Sequence, residues 1–194
     1  LFCPDLPTVA TSAPIAAATA DCGDIEPGAN KLRLVDSSCT PIAGARVNLR
    51  RDNNSYITRI DTDANGVADF SAADPTDVPS RFEVDYNGDS YATDTGSFTS
   101  GAVVQTRPLR LSLLASGCAP LAHTRINLHR ANGSYVTRTN TDASGVAVFE
   151  VVPEAEMLLE ADYNGGSWRS EVITPATAVT LGTEHFSLAL ATST

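Results

Sequence analysis

The sequence predicts an all-β protein: two tandem β-sandwich modules behind an extended N-terminal tail. Three observations carry this expectation. The chain contains a long internal repeat, its apolar residues alternate with period two, and turn signals recur every 8–12 residues. The first defines the modules, and the other two define what each module is made of.

The repeat is read directly. Cys39 to Phe70 and Cys118 to Phe149 align at a fixed offset of 79, and 19 of the 32 positions are identical. Further on, Asp85-Tyr86-Asn87-Gly88 matches Asp162-Tyr163-Asn164-Gly165 at an offset of 77, so a two-residue length change lies between them. The segment before each copy recurs as well: Leu32-Arg33-Leu34, Leu109-Arg110-Leu111 and, a third time, Phe186-Ser187-Leu188. Self-similarity at a fixed period marks repeated structural units. The expected division is a tail over 1–30, a first sandwich over 31–108 and a second over 109–194 that includes a C-terminal strand.

Within each copy the period is that of strands. Val47 and Leu49 alternate with polar residues, as do Ile126 and Leu128; so do Phe82, Val84 and Tyr86, and Leu159, Ala161 and Tyr163. Such alternation places one face on a core and one toward water. Asn53-Asn54, Asn65-Gly66, Asn87-Gly88, Asn132-Gly133, Ser144-Gly145 and Asn164-Gly165 punctuate the strands. Asn-Gly pairs supply the positive φ values of tight hairpins. No segment shows a convincing helical period, and Pro153 makes Val151 to Leu158 a loop. Six or seven short strands in each module describe a sandwich.

Composition bounds the function. The chain has 194 residues, 42% apolar, enough to bury a core, and a net charge of −10. Such acidity opposes binding to phosphate backbones and to anionic membranes, so neither nucleic acid nor membrane insertion is expected. No apolar run approaches the roughly 20 residues of a membrane span. The first residue is Leu1 and no signal-peptide pattern follows, so the chain reads as processed or as a fragment. Four cysteines in a chain with one lysine, Lys31, suit an extracellular, oxidising compartment.

The pattern Pro41-x-x-Gly44-Ala45-x-Val47-x-Leu49, followed by Thr62-Asp63-x-x-Gly66-x-Ala68-x-Phe70, resembles the prealbumin-like, immunoglobulin-like modules of secreted and surface proteins. The carboxypeptidase regulatory-like and collagen-adhesin B-type domains are the nearest such families. The second copy keeps the pattern, with His123 and Thr124 in place of Gly44 and Ala45. The resemblance implies the sandwich fold; for function it implies only a spacer, stalk, pilus unit or accessory domain. Some collagen-adhesin-type modules carry a Lys–Asn isopeptide bond. That bond is not expected here, because Lys31 lies at the edge of module one and module two has no lysine.

Few residues suggest chemistry. Asp61-x-Asp63-x-Asn65-Gly66 opens like a calcium loop, but Ala72 stands where an EF-hand needs its bidentate glutamate. A hairpin turn capped by side-chain oxygens is the preferred reading, with Asp61, Asp63 and Asn65 retained as candidate calcium ligands. His123, His129 and His185 have no partner at metal-ligand spacing, and His129 replaces Arg50 on the solvent side of a strand. No nucleophile or carboxylate pair stands at a catalytic spacing, so neither an enzyme nor a cofactor is expected. Asn53-Asn54-Ser55 and Asn132-Gly133-Ser134 are both Asn-x-Ser sequons, at equivalent hairpin tips, and mark Asn53 and Asn132 as glycosylation candidates. Trp168, the sole tryptophan, falls where Tyr91 lies in module one and reads as core or edge packing.

The cysteines are Cys3, Cys22, Cys39 and Cys118. Cys39 and Cys118 hold the same position in successive modules, about a module length apart and beyond the ~7 Å reach of a disulfide between Cα atoms. Two pairings remain: Cys22–Cys39 with Cys3–Cys118, or Cys3–Cys39 with Cys22–Cys118. Short-range closure favours the first. Cys3 can then reach module two of its own chain or of a neighbour; the neighbour is favoured, because head-to-tail contacts propagate as filaments.

The expected function is that of an extracellular structural subunit. It would polymerise through its N-terminal tail by strand addition, sealed by disulfides, with neighbouring copies as partners. Thr8 to Ala20 and the amphipathic segment His185 to Thr194 are the candidate exchanged strands. The latter reads equally well as a closing strand of module two. The alternative is a non-polymerising stalk, adhesin or carbohydrate-binding module that meets surface glycans.

Overall fold

A computed structural model of the chain describes residues 22, 30–73, 80–115, 117–174 and 179–182, the last four and Ser100 as backbone alone. The chain divides into two compact units. Among the described residues, one holds Cys22, 30–107 and 150–155, and the other holds 108–149 and 156–182.

Among the described residues the first sandwich has seven strands: β1 (Lys31–Val35), β2 (Arg46–Arg51), β3 (Tyr56–Asp61), β4 (Val67–Asp69), β5 (Ser80–Tyr86), β6 (Asp89–Ala92) and β7 (Ala102–Gln105). A single helical turn, α1 (Ser97–Ser100), precedes the last. That turn escapes sequence reading, since four residues are too few to show a period. The strands form two sheets, in the orders β4-β1-β7 and β3-β2-β5-β6. β1 takes the centre of the three-stranded sheet, antiparallel to β4 and parallel to β7. The other sheet is antiparallel throughout.

Alternation sets the core. Leu32, Leu34, Ala68, Phe70 and Val104 from one sheet face Val47, Leu49, Phe82 and Val84 from the other, all buried. Phe70 and Phe82 meet across the layer with ring centroids 5.6 Å apart, and Phe98 of α1 meets Phe82 edge-on at 6.0 Å. The helical turn thus closes the sandwich with an aromatic plug.

The second sandwich repeats the plan with β8 (Arg107–Leu114), β9 (Arg125–Arg130), β10 (Tyr135–Asn140), β11 (Val146–Val151), β12 (Met157–Tyr163), β13 (Gly166–Arg169) and β14 (Val179–Gly182). Its sheets run β11-β8-β14 and β10-β9-β12-β13. β14 lies parallel to β8, as β7 does to β1. β14 thus holds beside β8 the place that β7 holds beside β1, and His185–Thr194, the other candidate closing strand, lies outside the described residues. Leu109, Leu111, Leu113, Ile126, Leu128, Phe149, Met157 and Leu159 form the core. Leu159 stands where Phe82 does, so Phe149 lacks the phenylalanine partner that Phe70 has in the first core. Residues 152–156, around Pro153, connect β11 to β12 without regular structure.

Candidate functional sites

Cys39 and Cys118 sit in equivalent loops after the first strand of each module. Cys39 donates its N–H to the Asp36 carbonyl at 3.0 Å, as Cys118 does to Ala115 at 3.0 Å. Both take left-handed backbone, with φ of 69° and 66°. Non-glycine residues are uncommon there. Cys39 is bonded to Cys22 with Cα atoms 5.2 Å apart. Cys118 is also disulfide-bonded. Cys3, and with it the choice between an intrachain and an interchain Cys3–Cys118 bond, lies outside the described residues, as do both candidate exchanged strands.

The first loop has a brace that the second lacks. Asp36 Oδ1 accepts the N–H groups of Ser38 and Thr40, each at 2.8 Å. Burial of its carboxyl, which alone would raise the pKa, is outweighed by hydrogen bonds from Ser38 and Thr40, so the group stays below its ordinary value. Ala115 holds the corresponding place in module two.

The candidate calcium residues form a turn. Asp63 Oδ1 accepts the N–H of Asn65 and of Val67, each at 2.8 Å. The Val67 bond, with that of Asn65, holds its pKa below the ordinary carboxylate range. Asp142 makes the same two contacts with Ser144 and Val146 in module two, where a calcium ligand set is poorer. Among the described residues no three His, Cys, Asp or Glu side chains converge as a metal site.

The sequons occupy the β2–β3 and β9–β10 tips. Arg51 N–H bonds to the Ser55 carbonyl at 3.0 Å, and Asn54 N–H to that of Arg51 at 2.8 Å. Arg130, Ser134 and Gly133 repeat this at 2.9 and 2.8 Å. Asn54 and Gly133 have φ of 68° and 85°. Asn53 Oδ1 accepts the Ser55 N–H at 3.0 Å and its hydroxyl at 2.6 Å, and Asn132 Oδ1 accepts the Ser134 N–H at 3.0 Å. Just beyond each tip stands an exposed tyrosine: Tyr56 is 53% exposed and Tyr135 58%.

Sequence reading missed a pair of buried amides on the outward faces of the four-stranded sheets. Asn48 and Asn127 are only 6% and 9% exposed. Asn48 Nδ2 donates to Asp85 Oδ2 at 2.9 Å and Glu83 Oε1 at 3.3 Å; Asn127 Nδ2 donates to Asp162 Oδ2 at 3.0 Å and Glu160 Oε1 at 3.4 Å. Arginines complete each set. Arg50 Nε reaches Glu83 at 2.8 Å, Arg125 Nε reaches Asp162 at 2.8 Å, and Arg169 Nε reaches Glu160 at 2.8 Å. The Arg169 hydrogen bond holds the Glu160 carboxyl below its ordinary value. The repeated Asn, Glu and Asp at fixed offsets were the available signal.

His129 requires a correction. Its strand position put it on the solvent side, yet it is only 7% exposed. Tyr135 meets its ring edge-on at 5.9 Å, its Nδ1 lies 3.1 Å from the Gly133 carbonyl, and Glu160 stands 3.8 Å from its Nε2. An outward-facing residue is buried here because neighbouring long side chains fold over it. Trp168 is half-buried, opposite Ala161 in register, with its ring 6.3 Å from that of Tyr163.

No protein-family model matches this chain, and no curated protein matches it. Solved structures do resemble it. The minor pilin GBS52 of Streptococcus agalactiae shares 13% identity over 79% of this chain and 94% of its own, with a TM-score of 0.37. The shaft pilin SpaA of Lactobacillus rhamnosus GG shares 9% over 78% of this chain and 95% of its own, with a TM-score of 0.34. The Bacillus anthracis TIE protein shares 13% over 78% of this chain, which spans 32% of that protein, with a TM-score of 0.31. The likeness concerns the all-β fold, and the resemblance to carboxypeptidase regulatory-like and collagen-adhesin B-type domains rests on the residue pattern alone.

Proposed function

We propose that the protein is a structural subunit of an extracellular, pilus-like fibre, assembled head-to-tail by strand addition and sealed by disulfides. One observation carries the reading. Phe186-Ser187-Leu188 repeats the pattern of β1 and β8, yet the centre of each three-stranded sheet is already filled, by β1 in one module and β8 in the other. β14 also takes beside β8 the place that β7 takes beside β1. A third copy of the central strand therefore suits a sandwich other than these two. The disulfide-bonded cysteines at matching loops supply covalent reinforcement of the kind a load-bearing fibre needs.

The same observation supports a second reading, in which the extra strand opens a third module of a longer stalk or adhesin that meets surface glycans. Native material distinguishes the two. A fibre subunit gives filaments by electron microscopy and a ladder on non-reducing gels that collapses to a single-subunit band on reduction. Deleting residues 183–194 abolishes the filaments. A stalk gives one longer polypeptide and no ladder. A monomer of this length under both gel conditions, without filaments, overturns the fibre reading.

A further inference from the structure

We propose that Asn53 and Asn132 are N-glycosylated, one oligosaccharide at the tip of the β2–β3 hairpin and one at the tip of the β9–β10 hairpin. The chain has ten asparagines, and only these two stand in an Asn-x-Ser/Thr sequence. The fold puts both at the same exposed place. The side-chain oxygen of each is turned into the hairpin by the backbone bond from Ser55 or Ser134. Both asparagines are exposed, and among the described residues neither Nδ2 has a hydrogen-bond acceptor.

Turn capping alone does not account for asparagine here. Among the described residues the same turn, an Asx oxygen accepting the N–H two residues on, is made four more times, by Asp36 to Ser38, Asp63 to Asn65, Asp69 to Ser71 and Asp142 to Ser144. Every one of those uses aspartate, whose oxygen serves equally well. Among the described residues the two hairpin tips alone use the amide; a serine two residues on also follows Asp36, Asp69 and Asp142. A capping turn does not require the amide, whereas transfer of a glycan to nitrogen requires it together with that hydroxyl. At the first tip the Ser55 hydroxyl already touches the Asn53 carboxamide.

The step balances without an oxidant. Nδ2 attacks the anomeric carbon of a lipid-phosphate-linked oligosaccharide, the carbon–oxygen bond to the phosphate breaks, the lipid phosphate leaves, and a base of the transferase takes the amide proton. Export is shared with the fibre reading, but polymerisation is not, so filaments without glycans and glycans without filaments are separate results.

The test is peptide mass mapping of the protein from its native host. Both tip peptides should carry sugar increments, and enzymatic removal should leave aspartate at 53 and 132. Asn53→Asp and Asn132→Asp keep the turn and should melt as the deglycosylated protein does, each losing one glycan completely. Ser55→Ala and Ser134→Ala should lose the same glycans. Unmodified peptides at either tip, or a glycan that survives the serine substitutions, overturn the proposal.

Discussion

Leu34 and Gly66 are locked together. The Leu34 N–H donates to the Gly66 carbonyl at 2.8 Å, while the Leu34 carbonyl oxygen lies only 2.3 Å from where a Cβ on Gly66 would stand. Gly66 also has a φ of +73°, a conformation side chains rarely adopt. Gly145 repeats the arrangement against Leu113 at 2.7 Å. Gly66→Ala and Gly145→Ala should each destabilise their module by about 2–4 kcal/mol, strain and clash together. Gly44→Ala has open space and should cost less. Chemical denaturation of the three variants checks the order.

The buried amides give a second prediction. Asn48 holds two carboxylates together, and replacing it by aspartate sets a third among them. Asn48→Asp should lose about 2–4 kcal/mol at pH 7. The new group's folded pKa is raised by its neighbours, so the deficit should shrink as pH falls toward about 5. Asn48→Leu should lose less and show no such recovery. Thermal melts across pH separate the two.

The disulfide gives a third. Cys22 and Cys39 are 17 residues apart, and closing such a loop contributes roughly 3 kcal/mol by the chain-entropy argument. Cys39→Ser should lower the melting temperature of the first module, and reduction of the wild type should reproduce the loss. If the variant melts with the oxidised wild type, the bond contributes nothing to the fold.

Acid should unfold the protein late. Hydrogen bonds from Ser71, aided by Lys31, bring the Asp69 carboxyl down to about 2, and Asp63, Asp162 and Glu160 are also lowered. Groups with depressed folded pKa values stabilise fully above their unfolded pKa of about 4. That contribution is lost as pH falls through the folded values. The melting temperature should therefore hold from pH 7 to about 5 and decline between about 4 and 2. Arg169→Met should move the decline of module two to higher pH, because Glu160 loses the first cause of its shift.

The strands and their turns were legible because these follow local rules. Alternation of Val47 with Leu49 or Ile126 with Leu128 shows a half-buried strand wherever the chain goes, and the left-handed turns at Gly66 and Gly145 favour glycine on local backbone sterics. The hairpin tips at Asn53 and Asn132 were readable for the same reason.

What the sequence could not determine depends on chain segments far apart. Only tertiary structure placed β1 between β4 and β7, so that the first and last strands of a module run parallel. It also placed Val179–Gly182 beside β8, parallel to it. It buried Asn48 and His129 on faces that the period-two rule assigns to water, because Glu83, Asp85, Glu160 and their arginines fold over them. The sequence by itself determined which residues could form strands and turns, since backbone sterics and side-chain alternation act between near neighbours. Strand order and the burial of outward-facing polar groups were decided in the tertiary structure, where long-range pairing sets which side chains meet.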